Sequence, residues 1–182
     1  MGCRSGSDAR PAATRGPAAR WIAARDRADQ CYRVAVTGSV GKTSVKEMLA
    51  RIFRAMGPAH WNEKSFNNQW GVPLTLARMP RETERAVFEI GMSTPGEIAP
   101  RSVMVQPHTA LITKIAPAHL EGVGSIEGVA LEKSAIFAGL LPGGAALVPF
   151  DDDFAPFLSE QARKLQPECR ILTFGKGPGP DA

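Results

Sequence analysis

The chain has 182 residues, 43% of them hydrophobic and 22% charged, which excludes disorder or a fibre for the whole and suits one domain of ordinary size. The net charge is +4, and all of the excess lies in the first 33 residues, where seven Arg face three Asp. A nucleic-acid role would rest on that tail alone, so none is expected, and no apolar run reaches the roughly 18 residues that span a bilayer.

In chain order, residues 1–17 are rich in Arg, Ala, Gly and Ser without periodicity and read as disordered, and 18–30 reads as a short linker helix. Residues 1–31 are therefore a basic tail, 32–175 an α/β domain and 176–182 a flexible end. Short apolar runs at 33–36, 86–90, 109–115, 145–148 and 170–174 predict strands. Helical spacing predicts helices over 43–56, 95–104, 125–137 and 154–165. In the first of these, Val45, Met48, Leu49, Ile52, Phe53 and Met56 share one face, and Gly57-Pro58 ends it. The alternation implies a mostly parallel sheet flanked by helices, and the chain, stopping just after a strand, looks cut short. Cys3, Cys31 and Cys169 form no C-x-x-C, and His60, His108 and His119 add no zinc spacing, so reduced thiols in the cytoplasm are expected.

The most specific feature is Val-Ala-Val-Thr-Gly-Ser-Val-Gly-Lys-Thr-Ser over 34–44, a buried strand running through a Gly-containing turn into an amphipathic helix. This is the context of a phosphate-binding loop. Backbone amides of Gly38, Ser39, Val40, Gly41, Lys42, Thr43 and Ser44 would cradle the phosphates of ATP at a helix N-terminus. Lys42 would reach the terminal phosphates and Thr43 would ligate Mg²⁺. The common G-x-x-x-x-G-K-[ST] pattern wants Gly where this chain has Val36.

Three further residues suit such a site. Glu89 ends an apolar strand, where a carboxylate is costly unless a cation or donor meets it. His119 follows a third strand, at the end of the sheet where ligands bind in parallel folds. Lys133 falls on the same stripe as Ile126, Val129, Ala130 and Phe137, and burial there would lower its pKa and leave a reactive amine. Each has a plainer alternative: Glu89 could reach water, His119 could be a surface residue, and Lys133 could snorkel.

These residues in this order resemble the ATP-binding central domain of the Mur ligases, the peptide ligases of peptidoglycan precursors, over about 32–174. The segments carrying the likeness begin at Thr37, at Phe66 (Phe-Asn-Asn-Gln-Trp-Gly-Val-Pro-Leu-Thr-Leu), at Phe88 and at Pro117. The resemblance implies a monomer that passes the γ-phosphoryl of ATP to a substrate carboxylate and lets an amine attack the acyl phosphate. The Asn-Asn segment points to the branch that joins D-alanyl-D-alanine to a UDP-MurNAc-tripeptide. It further implies two Mg²⁺, held by Thr43, Glu89, His119 and a carbamylated Lys133, with Lys42, His119 and Lys133 as catalytic groups and Asn67 and Asn68 facing the peptide substrate. The family pattern Asn-x-Asp-Asn/Asp reads Pro149-Phe-Asp-Asp here, and Lys114 stands where Asn is frequent. Folylpolyglutamate-type ligases share the arrangement, and a non-catalytic nucleotide-binding remnant is the alternative from another class. Because the family has three domains, the chain alone is expected to bind Mg-ATP weakly and to ligate nothing.

Overall fold

A computed structural model describes residues 31–117, 124–176, 179 and 181. Six parallel strands form one sheet in the order β2-β3-β1-β4-β5-β6. They are β1 (Tyr32–Thr37), β2 (Ala59–Trp61), β3 (Arg85–Glu89), β4 (Thr109–Ile112), β5 (Ala145–Pro149) and β6 (Arg170–Phe174). The helices are α1 (Lys42–Met56), α2 (Gly71–Arg78), α3 (Ile98–Val105), α4 (Ile126–Ser134) and α5 (Ala155–Leu165). The expected tail disorder and the helix over 18–30 lie outside the described residues, as does His119.

Alternation along the strands sorts the core into two layers. Val34, Val36 and Val87 face α1 and pack on Val45, Leu49 and Phe53. Ala35, Ala86, Phe88 and Ile90 face the other way and join Val72, Leu76, Ile98, Val105, Val129 and Phe137. Both faces of β1 and β3 are thus covered, as their apolar sequences require.

Several expected boundaries move, each for a local reason. The apolar face expected of α1 is only partly buried. Met48, Ile52 and Met56 are more than half exposed, while Lys46 and Ala50 are buried, because the helix turns a narrower stripe toward the sheet. β4 stops at Ile112 rather than at residue 115, since Thr113 turns to bond the phosphate loop. α3 starts at Ile98 rather than residue 95, because the loop before it is tied by carboxylates. Ser125 is the N-cap of α4, accepting from Gly128 N at 3.1 Å, and beyond Ser134 the helix tightens into a 3-10 turn over Ala135–Gly139. The short edge strand β2 and the helix α2 were not expected: three residues of Ala-His-Trp are too few to show a period, and Pro73 masks α2.

Candidate functional site

The loop between β1 and α1 is shaped by two glycines with positive φ, Gly38 at 145° and Gly41 at 83°. Gly38 also lies against β4, and a Cβ there would overlap the Thr113 hydroxyl. That closeness is used: Ser39 N donates to Lys114 O at 2.8 Å, and Thr113 Oγ1 donates to Val40 O at 2.5 Å and Thr37 O at 3.2 Å. Ala116 N donates to Ser39 Oγ at 3.0 Å. The loop is therefore braced from the β4 side, with α1 opening at Lys42 and no side chain capping its first amides, which are left for an anion.

Val87 and Glu89 are two residues apart on β3 and share the face on which α1 lies, which brings the Glu89 carboxylate under the start of that helix. Thr43 Oγ1 donates to Glu89 at 3.0 and 3.2 Å to its two oxygens, and Asn67 Nδ2 donates to Oε1 at 2.6 Å. Glu89 is 1% exposed, so the reading in which it reaches water fails. Lys42 folds back on its own loop, donating to Gly38 O at 2.8 Å and Ser39 O at 3.5 Å. Burial lowers its pKa, and the Glu89 charge partly opposes this.

Lys133 is 1% exposed, so its stem does not snorkel into solvent. Its pKa is lowered to about 8, first by burial and then by the positive charge of Lys42, with Glu132 pulling the other way. Lys42 thus feels the Glu89 charge on one side and acts on Lys133 on the other. Glu132 itself is engaged: its carboxylate accepts from Gly96 N at 2.8 Å and Ile98 N at 3.1 Å, tying α4 to the start of α3.

Asn67 and Asn68 part ways. Asn67 touches Glu89, while Asn68 Oδ1 accepts from Trp70 N at 3.1 Å and Gly71 N at 2.9 Å and so ties down the turn that leads into α2. Five residues to which the sequence reading gave no role complete the surroundings. Lys46 and Asn62 are fully buried, Asn62 bonded to the Glu89 main chain and Lys46 to Asn62 O. Arg101 donates to Gly91 O and pairs with Glu97 at 3.2 Å. Thr113 braces the loop, and Asp152 accepts from Ile115 N at 2.8 Å and Phe154 N at 3.0 Å. The spacing of Lys46 from Thr43, three residues along a helix, was the available signal for the first of these.

Among the described residues no three His, Cys, Asp or Glu side chains converge on a metal position. The oxygen pair of Thr43 and Glu89 beside an anion-binding loop nevertheless fits Mg²⁺, which is commonly held by one or two carboxylates, substrate phosphates and water. The site as built can receive a polyphosphate and a hard divalent cation.

Residues 36–181 match the Mur ligase middle domain. The UDP-N-acetylmuramoyl-tripeptide--D-alanyl-D-alanine ligase of Escherichia coli K12 is 46% identical over 120 residues, covering 66% of this chain and 26% of that one. The crystal structure of MurF from Acinetobacter baumannii superposes with a TM-score of 0.84 at 37% identity, over 91% of this chain and 35% of that one. MurF ligase from Thermotoga maritima in complex with ADP gives 0.77 at 26% identity, over 98% of this chain and 41% of that one. The chain thus spans between 26% and 41% of the length of these relatives.

Proposed function

The chain belongs to the Mur ligase family through its middle domain, and on that footing we propose that it binds Mg-ATP and carries the phosphoryl-transfer part of a D-alanyl-D-alanine-adding ligase. The observation that carries the reading is the phosphate loop set directly against the Thr43–Glu89 pair. The loop amides from Gly38 to Ser44 bind phosphate oxygens, and Lys42 leaves the carbonyls it now bonds to meet the terminal phosphates. The Thr43 hydroxyl donates its hydrogen bond to Glu89, which leaves hydroxyl lone pairs for a cation. Bound Mg²⁺ neutralises charge on the phosphoryl group being transferred.

The reaction follows from the chemistry of carboxylates. A carboxylate oxygen of the UDP-MurNAc-tripeptide takes the γ-phosphoryl and ADP leaves. The amine of D-alanyl-D-alanine then attacks the acyl carbon, losing a proton, and phosphate leaves. Lys42 would offset charge in the first step, and Asn67, bonded to Glu89, would meet the substrate carboxylate, a role that its contact with Glu89 supports. Asn68 would contribute to the peptide side through its exposed position next to Asn67.

A second Mg²⁺, with Glu89, His119 and Lys133 as its ligands, is part of the same proposal, His119 on the family resemblance alone. Lys133 would act as a carbamate: its amine attacks CO₂, a proton goes to water, and an anionic oxygen ligand results. The lowered pKa favours the neutral amine that this step needs. No helix among the described residues is long and apolar enough to cross a membrane, and a cytoplasmic monomer is the proposed working form. Calorimetry of the chain with ADP, with and without Mg²⁺, tests the reading; binding that Mg²⁺ strengthens is expected, and absence of any nucleotide heat would sink it.

A further inference from the structure

Beyond Trp61, which pairs with Val87, the edge strand β2 turns away and β3 continues to Glu89 with β1 still paired on its other side. Alternate residues of a parallel strand present their N–H and C=O to the same neighbour, so Glu89 faces the space that β2 has vacated. The Asn62 side chain fills it. Its Oδ1 accepts from Glu89 N at 2.7 Å, and its Nδ2 donates to Glu89 O at 3.2 Å and to Phe66 O at 2.7 Å. Asn62 is 0% exposed, and its amide stands in for a strand backbone.

Lys46, also 0% exposed, holds that arrangement from α1. Its Nζ donates to Asn62 O at 3.0 Å, Lys64 O at 2.7 Å and Glu47 Oε1 at 2.6 Å. Lys64 adopts a left-handed φ of 51° at this bend. Three bonds use all three ammonium protons, so Lys46 has none left for a phosphate, although it lies one turn beyond the phosphate loop. A ring of contacts results: Thr43 to the Glu89 carboxylate, Glu89 main chain to Asn62, Asn62 to Lys46, and Lys46 back along α1 to Thr43. The phosphate loop is braced separately, by Thr113 and Lys114 of the β4 side.

We propose that Lys46 and Asn62 are positioning residues that hold Glu89 against Thr43 and thereby set how much Mg²⁺ strengthens nucleotide binding, a role that rests on the Mg-nucleotide reading above. Because the two braces are separate, disturbing this one alters the cation's share of binding and spares the phosphate contacts.

The test is ADP binding to the full chain by calorimetry, in EDTA and in saturating Mg²⁺, for the wild type, Asn62→Leu and Lys46→Met. Affinity in EDTA is expected to hold, while the gain from Mg²⁺ falls about tenfold, the size expected when a support behind a metal ligand is lost. Thr113→Val, on the other brace, is expected to lower both affinities together. If the apolar variants do not fold, Asn62→Ser and Lys46→Arg, judged folded by circular dichroism, are expected to show a smaller loss in the same direction. Variants that keep the full Mg²⁺ gain, or that lose affinity equally with and without Mg²⁺, would overturn the proposal while leaving the Mg-nucleotide reading intact. A wild type with no Mg²⁺ gain would overturn both.

Discussion

Gly38→Ala probes the phosphate loop where its backbone is most constrained. The residue has φ of 145°, a region that L side chains rarely adopt, and forcing one there costs about 1–3 kcal/mol. The new Cβ would stand 3.1 Å from the backbone nitrogens of Thr113 and Lys114 and would overlap the Thr113 hydroxyl. Rotating that hydroxyl away removes the one proton it shares between Val40 O and Thr37 O, a bond worth about 1 kcal/mol. A combined loss of about 3 kcal/mol should lower the melting temperature of a chain this size by roughly 6–12 °C. Gly143→Ala is the control, because Gly143 has φ of 72° but nothing within 4 Å of where the methyl would stand, so only the backbone cost remains. In a Thr113→Ala background, which already lacks that hydroxyl, Gly38→Ala should cost little beyond the backbone part. Differential scanning calorimetry decides the matter: a Gly38→Ala chain melting with the wild type would refute the close packing of loop on β4.

Three other perturbations have definite signs. Lys133→Met in bicarbonate-free buffer should raise stability by about 3 kcal/mol at pH 7, since the folded chain holds the amine near pKa 8 against an ordinary 10.5. That cost is complete below pH 8 and fades as pH rises to 10.5, so urea midpoints of the two proteins should converge there. Glu97 is held down to about 2, chiefly by the Ser93 backbone N–H, with Arg101 assisting. Its contribution is present above pH 4.5 and lost as pH falls toward 2, so Glu97→Gln should flatten the acid limb of a urea-midpoint titration over that range. Asp152→Ala removes acceptors from Ile115 N and Phe154 N at a 5% exposed position and should cost about 2–3 kcal/mol, whereas Asp152→Asn should cost less; equal melting of all three would contradict the bonding.

What could be read in the sequence was whatever local pattern encodes. The phosphate loop announces itself because glycine, lysine and threonine must stand in fixed order between a strand and a helix, and Glu89 stands out as a charge ending an apolar run. Lys133 on an apolar stripe left burial and snorkelling both open, and the structure buries it at 1% exposure. Long-range partnerships were invisible. Asn62 lies 27 residues from Glu89, and nothing local marks an asparagine that replaces a strand's backbone. Lys46 looks like any solvated helix lysine until the loop over 62–64 wraps it. The exposed Met48, Ile52 and Met56 show the opposite error, since periodicity reports a helix's apolar face but not how much of it the sheet covers.

The central claim is that magnesium and the nucleotide's phosphates meet between the loop at Gly38–Ser44 and the Thr43–Glu89 pair. Amide NMR of the isotopically labelled chain, titrated with ADP and then with Mn²⁺ in place of Mg²⁺, addresses it residue by residue. The account predicts ADP-induced shifts at the amides of Gly38 to Ser44, and Mn²⁺ broadening centred on Thr43 and Glu89 that Glu89→Gln weakens. Shifts and broadening centred elsewhere, or ADP that leaves those amides unmoved, would contradict it.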